Sequence, residues 1–159
     1  MADQTEGDDR SFAVALNNEV WDHIDAGDIT PESPIDQREA LLYAAFASAH
    51  HWRRAGNVTN WGRAEHLIAR AAVLAGRTSV ALEHAARCIG LIESNLDEFE
   101  DWDMAFALEC LARAQASAGL DAASATKGAA IAATAEVADD GSREVVEGEL
   151  AREPWFGVI

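Results

Sequence analysis

Two arginines occupy matched places in the chain, Arg70 within Ile68-Ala69-Arg70-Ala71 and Arg113 within Leu111-Ala112-Arg113-Ala114. Helical spacing of three and four residues puts Arg63 and His66 on the face of Arg70, and Phe106 and Glu109 on the face of Arg113. Arginines on such a face can hold a carboxylate, or the acidic end of a peptide, through charge-assisted and often bidentate hydrogen bonds. Arg63, His66, Arg70, Phe106, Glu109 and Arg113 thus make two matched helix faces. A structural alternative uses the same atoms. Glu109 and Arg113, four apart, can pair with each other, which at a surface is worth only about 0.3 to 0.5 kcal/mol, and Arg70 can tie two helices together.

Catalytic and metal chemistry find less support. His50 and His84 are secondary candidates, and with His51, His66 and Asp103 or Glu109 they could offer nitrogen and oxygen ligands. The chain has no HExxH and no Glu-x-x-His pair, and neighbouring His50 and His51 project about 100° apart around a helix. No metal and no other cofactor is expected. Cys88 and Cys110 fall at no CxxC spacing, and GxSxG and glycine-rich phosphate loops are missing, so the residues point away from an enzyme. Both cysteines read as small, reduced core residues, which suits a cytoplasmic setting.

These side chains need elements to position them. Apolar residues recur at helical spacing almost throughout, without sustained period-two alternation, so the expected class is all-α with six main helices and a short seventh. The first spans about 11–26, with Phe12, Leu16, Val20 and Ile24 on one face and Gly27 as its stop. Asp36 opens the second, which ends at Gly56; Asn60 caps the third, Trp61 to Ala75; Thr78 caps the fourth, which fades at Asn95. An acidic linker leads to the fifth, Asp103 to Ala118. Asp121 caps the sixth, to about Val137, and Ser142 a last short helix. Trp52, Trp61 and Trp102 near helix ends are expected as wedges between helices. Residues 1–9 read as a disordered acidic lead-in, 10–151 as one helical domain and 152–159 as a tail.

Composition sets limits on partners. The 159 residues hold 28 Asp and Glu against 12 Lys and Arg, a net charge of −16, and Lys127 is the one lysine. A field of that sign repels phosphate backbones and anionic bilayers, so neither nucleic acid nor membrane is expected as a partner. The same acidity also fits a salt-adapted or high-GC proteome. No run of about 18 apolar residues occurs, and the N-terminus lacks the apolar stretch of a signal peptide.

The repeat extends beyond the arginines. Each arginine tetrapeptide is followed by three variable residues and then Ala-Gly, at Ala75-Gly76 and Ala118-Gly119, with a period of 43 residues. A weaker third copy holds Ala49, Ala55 and Gly56, with His50 where the arginines stand. Helix, glycine turn and antiparallel helix form a unit that cannot bury its apolar faces alone and so stacks on a copy of itself. This pattern resembles the tetratricopeptide repeat family, best over Gly62 to Asn95. There Ala69 and Ala71 fill small positions of the first helix, Gly76 the turn, and Ala81, Ala85 and Cys88 small positions of the second, followed by Ile89 and Leu91. The stretch Ala105 to Ala138 is a looser copy, with Ala112, Gly119 and Ser124, and the period is longer than that family's. The string from His50-His51-Trp52 through His84-Ala85-Ala86-Arg87-Cys88 to Asp103-Met104-Ala105-Phe106 is also similar to a group of bacterial helical proteins.

The resemblance implies helical hairpins stacked in a right-handed superhelix, whose concave groove, lined by Arg63, His66, Arg70, Phe106, Glu109 and Arg113 as the expected ligand- or partner-binding residues, binds a protein or peptide partner without catalysis. The other readings are a small-molecule binder or enzyme using a His/Arg/Glu pocket, and a self-associating structural protein, with a homodimer hiding the groove or the Trp155-Phe156 tail.

Overall fold

A computed structural model describes the backbone of residues 2–159 and side chains from Thr5 onward. Among the described residues there are seven α-helices and one short 3-10 turn, and no strand. They are α1 (Ala2–Ala26), α2 (Ile35–Ala55), α3 (Val58–Ala75), α4 (Thr78–Glu93), α5 (Asp101–Ser117), α6 (Ala123–Ala135) and α7 (Asp140–Ala151), with the turn Leu96–Glu98 between α4 and α5. The all-α class and the number of helices match the periodicity. No described helix is long and apolar enough to cross a membrane.

Several helix ends move by a few residues for identifiable reasons. At the head of α3, Asn57 is the cap: its side chain accepts from the Asn60 backbone N–H, and its own N–H donates to the Asn60 side chain. Asn60 is thus the inward partner of a reciprocal cap and not the first residue outside. Asp139 does the same for α7, accepting the Ser142 N–H at 2.7 Å. Helix α5 starts earlier than expected, at Asp101, with the Glu100 N–H donating to Asp103 at 2.9 Å. Gly76 takes φ +71°, a left-handed conformation alanine avoids, and ends α3 as the repeat requires.

The acidic lead-in belongs to α1, which runs back to Ala2; Met1 lies outside the described residues. The cause is tertiary. Asp9 accepts a hydrogen bond from Arg54 Nε and shares one with His51 Nδ1, both at 2.7 Å, which ties α1 at Asp9 to the end of α2. Behind it Ala13 is fully buried and its carbonyl accepts from Ser48 Oγ at 2.8 Å. The buried stripe of α1 is accordingly Ala13, Val20 and Ile24, whereas Phe12 is exposed beside His51.

Helices adjacent in sequence pack against each other, most extensively within α1/α2, α3/α4 and α5/α6, while α3 also meets α5 and α7 meets both α5 and α6. Helix α3 is central: from Ala64 to Ala75 every residue is buried. Alanine makes this possible, because its single methyl lets helix axes approach closely, and Ala69, Ala71, Ala72, Ala81, Ala85 and Ala114 share one core. Gly62 serves the same end locally, since a Cβ there would lie 2.8 Å from the Phe99 ring. The tail also folds back: Trp155 is buried, its Nε1 donating to the Leu150 carbonyl at 2.9 Å, between the cations of Arg113 and Lys127.

Candidate functional site

The matched positions on α3 and α5 come together in the interior, where an isolated charge would be costly to bury. Arg113 is fully buried and engages every guanidinium nitrogen. Its Nε donates to Glu109 at 2.7 Å, Nη1 to the carbonyls of Arg152 and Pro154, and Nη2 to the Glu149 carbonyl at 2.8 Å. Arg70, 1% exposed, donates from Nη2 to Glu149 at 2.8 Å. Burial works against the charge of Arg70, but Glu109 and Glu149 more than offset it and hold its pKa above the ordinary value. For Arg113, burial and the nearby Arg70 outweigh Glu109 and leave its pKa lowered. Neither of these two arginines presents a free guanidinium to an acidic partner.

Arg63 is half-exposed, and it too is matched. Nε and Nη2 each donate at 2.9 Å to Asp103, a bidentate bridge between α3 and α5, and the guanidinium lies 4.3 Å over the Trp102 ring. His84 shares a 2.5 Å hydrogen bond with Glu65 and meets the edge of Phe46, while exposed His50 sits beside His51. The histidines of the pocket reading therefore do not converge with Glu109 and Arg113. No group of three or more His, Cys, Asp or Glu among the described residues is placed to hold a metal ion.

His66 is the candidate that reaches a cavity. It is buried, with Trp21 of α1 stacked on its ring at 5.7 Å and 20° and Phe106 of α5 edge-on at 5.7 Å. Trp102 then meets Phe106 edge-on at 5.7 Å, so an unbroken chain of rings crosses three helices and ends on the Arg63 guanidinium. Burial, aided by the charge of Arg70, pushes the His66 pKa down to about 4, so the imidazole is neutral at pH 7. Its Nε2 is buried with no hydrogen-bond partner, as are Arg70 Nε and Nη1 and Glu109 Oε2.

These rings border a cavity of about 410 Å³ lined by residues of α1, α3, α4, α5 and α7. Cys88, Ile92, Phe99 and Asn17 also line it, as do Asp25 and Val145, which are solvent-exposed. At one end α7 is tied to α1 through Arg152, which donates to the carbonyls of Ile24 (2.9 Å) and Asp25 (3.1 Å) and to the Asp25 carboxylate (3.1 Å). Burial, with Asp103 and Glu65 adding to it, pushes the Cys88 thiol up to about 12, so this sulfur is no nucleophile at neutral pH.

Of the expected binding residues, Arg63, His66 and Phe106 line this cavity, while Arg70, Glu109 and Arg113 lie outside its wall. Sequence reasoning missed Trp21, Phe99, Val145 and Glu149. Trp21 left one signal, a tryptophan off the apolar face of α1. Glu149 left none, being one carboxylate among many in an acidic segment. No protein-family model, curated protein or solved structure matches the chain.

Proposed function

We propose that this chain is a non-enzymatic binding module, a short right-handed stack of tetratricopeptide-like hairpins that takes an apolar side chain of a peptide or protein partner into the cavity between α1 and α7. The observation that carries this reading is that cavity. At about 410 Å³ it falls within the range of ligand sites, and Trp21, Ile92, Phe99, Trp102, Phe106 and Val145 give it apolar surface among charged side chains that are paired with one another or with Arg70 and Arg152. The first helices of successive hairpins contribute together to it, which is what a groove in stacked repeats requires. Pairing within the molecule redirects the recognition. With Arg70 and Arg113 engaged by Glu149 and Glu109, apolar contact replaces the carboxylate grip as the source of affinity.

An enzyme reading has less behind it. His66 is the one histidine lining the cavity, and neither a carboxylate nor a nucleophile is hydrogen-bonded to it. A cytoplasmic setting belongs to the same proposal, supported by two free, buried thiols.

Peptides selected from a displayed library on the wild type and counter-selected on Val145→Trp test the module. Val145 lines the cavity and is exposed, so the indole should fill the cavity and leave the fold intact. Selected peptides should carry a large apolar residue and bind the wild type about tenfold or more tightly than the variant. Peptides that bind both proteins equally, or selection of acidic residues alone, would overturn the reading.

A further inference from the structure

We infer that the partner segment this cavity takes is basic: an uncharged apolar side chain enters the cavity, and lysine or arginine residues on either side of that anchor pair with exposed carboxylates on and beside its wall. This rests on the binding reading above and specifies the charge of the partner.

Inside, the wall is balanced. Both Asp103 oxygens accept from Arg63, and the two Glu149 oxygens accept from Arg70 and Arg152 respectively. A charged anchor would have to break one of these pairs or be buried without a counter-charge, and both are costly. An uncharged side chain meets neither penalty and gains contact with Trp21, Phe99 and Phe106.

Toward solvent the balance ends. Asp25 lines the cavity with its side chain 62% exposed, and among the described residues Arg152 is its one partner, reaching Oδ1 at 3.1 Å. Six exposed carboxylates, Asp22, Glu93, Glu98, Glu100, Asp101 and Glu144, are immediate chain neighbours of wall residues, and consecutive Cα atoms are only about 3.8 Å apart. None of the six forms an ion pair among the described residues. Two arginines stand on or next to the wall, Arg63 and Arg87, and both are already tied, to Asp103 and to Glu65. An acidic flank would therefore meet like charges and no free cation, whereas a basic flank finds unpaired carboxylates. The net charge of −16 acts in the same direction at longer range, drawing in cationic segments and repelling acidic ones.

Calorimetric titration with four acetylated, amidated peptides of one length tests this. Three carry a central phenylalanine, Xaa-Xaa-Gly-Phe-Gly-Xaa-Xaa, with Lys, Ser or Glu at every Xaa; the fourth is the Lys peptide with glycine in place of phenylalanine. The Lys peptide should bind about tenfold tighter than the Ser peptide and tighter still than the Glu peptide, and replacing its phenylalanine should cost about tenfold. Its advantage over the Ser peptide should shrink as sodium chloride rises from about 50 to about 500 mM. Asp25→Asn should weaken the Lys peptide about threefold and leave the Ser peptide unchanged, which separates a lost charge from a lost fold. Asp121→Asn, exposed and off the wall, removes the same charge from the whole and should cost less. Equal binding of the Lys and Ser peptides, preference for the Glu peptide, or equal losses in Asp25→Asn and Asp121→Asn overturns the basic partner while the cavity keeps its binding role. So does a Lys peptide that binds as well without its phenylalanine, since its attraction then lies elsewhere. If none of the phenylalanine peptides binds, and no peptide from the displayed library is weakened by Val145→Trp, the binding reading itself falls.

Discussion

His66 shows how one buried side chain can set a pH response. Its pKa falls from 6.5 in the unfolded chain to about 4 in the folded one, because burial and Arg70 disfavour the imidazolium more than Glu149 and Asp103 favour it. The unfolded state therefore binds more protons between these values, and stability rises with pH across that window. The contribution is fully present above pH 6.5 and is lost as pH falls toward 4, about 3 kcal/mol in all. Urea midpoints measured from pH 7 to 4.5 should fall steeply for the wild type and much less for His66→Phe. Parallel slopes would mean the imidazole is not buried as described. Arg113 makes a different kind of contribution. Arg113→Ala removes the hydrogen-bonded counter-charge of buried Glu109, leaving it only the more distant Arg70, and frees three carbonyl acceptors around the tail, so a loss of about 3 to 5 kcal/mol is expected in chemical denaturation. Arg113→Met with Glu109→Gln should recover part of it, since shape is kept and the buried charge removed.

At the scale of elements, what matters is how closely α3 approaches the connection before α5. Gly62 lies on α3 where the Phe99 ring comes to the backbone, and a Cβ would sit 2.8 Å from two ring atoms. Gly62→Ala forces the ring aside at a cost of about 1 to 3 kcal/mol, although alanine is the better helix former. Thermal melting checks the sign: an unchanged or higher Tm would show that Phe99 yields freely. The same displacement should alter the cavity wall, since Phe99 and Gly62 both line it. Helix α1 illustrates the opposite case, in which an element is extended by its neighbour. Its first turns are acidic and poor in apolar residues, and the helix meets the end of α2 where Asp9 is clamped to His51 and Arg54. Those ionic bonds hold the Asp9 carboxyl below the usual range, first through Arg54 and then through His51.

For the whole molecule, net charge and pairing act in opposite directions. Most arginines are committed to local pairs, so the surplus of 28 acids over 12 bases is carried largely by unpaired surface carboxylates that repel one another. Screening should relieve that repulsion more than it weakens the buried bridges, which salt reaches poorly. Raising sodium chloride from about 20 mM to about 200 mM, where the Debye length falls well below the molecular diameter, should therefore raise Tm. A fall in Tm would show that exposed ion pairs, such as Arg87 with Glu83, outweigh the general repulsion.

Local residue order by itself determined the class, the helix count and the pairing of α3 with α5. Periodicity, glycine stops and a repeated Ala-Arg-Ala are written along one stretch of chain, and a helix needs little else to be specified. Of the six positions matched between the repeats, Arg63, His66 and Phe106 line the cavity and Arg70, Glu109 and Arg113 do not. Only the tertiary structure decided what those side chains meet. Glu149 reaches Arg70 across 79 residues, and Trp21 reaches His66 from a helix with a different pattern. A carboxylate 79 residues away leaves no trace in local spacing, yet it neutralises the arginine on which an acidic ligand would have depended. Burial likewise belongs to the assembled molecule: the same imidazole that would titrate near neutrality on a free helix is uncharged between Trp21 and Phe106, because desolvation depends on every helix packed around it.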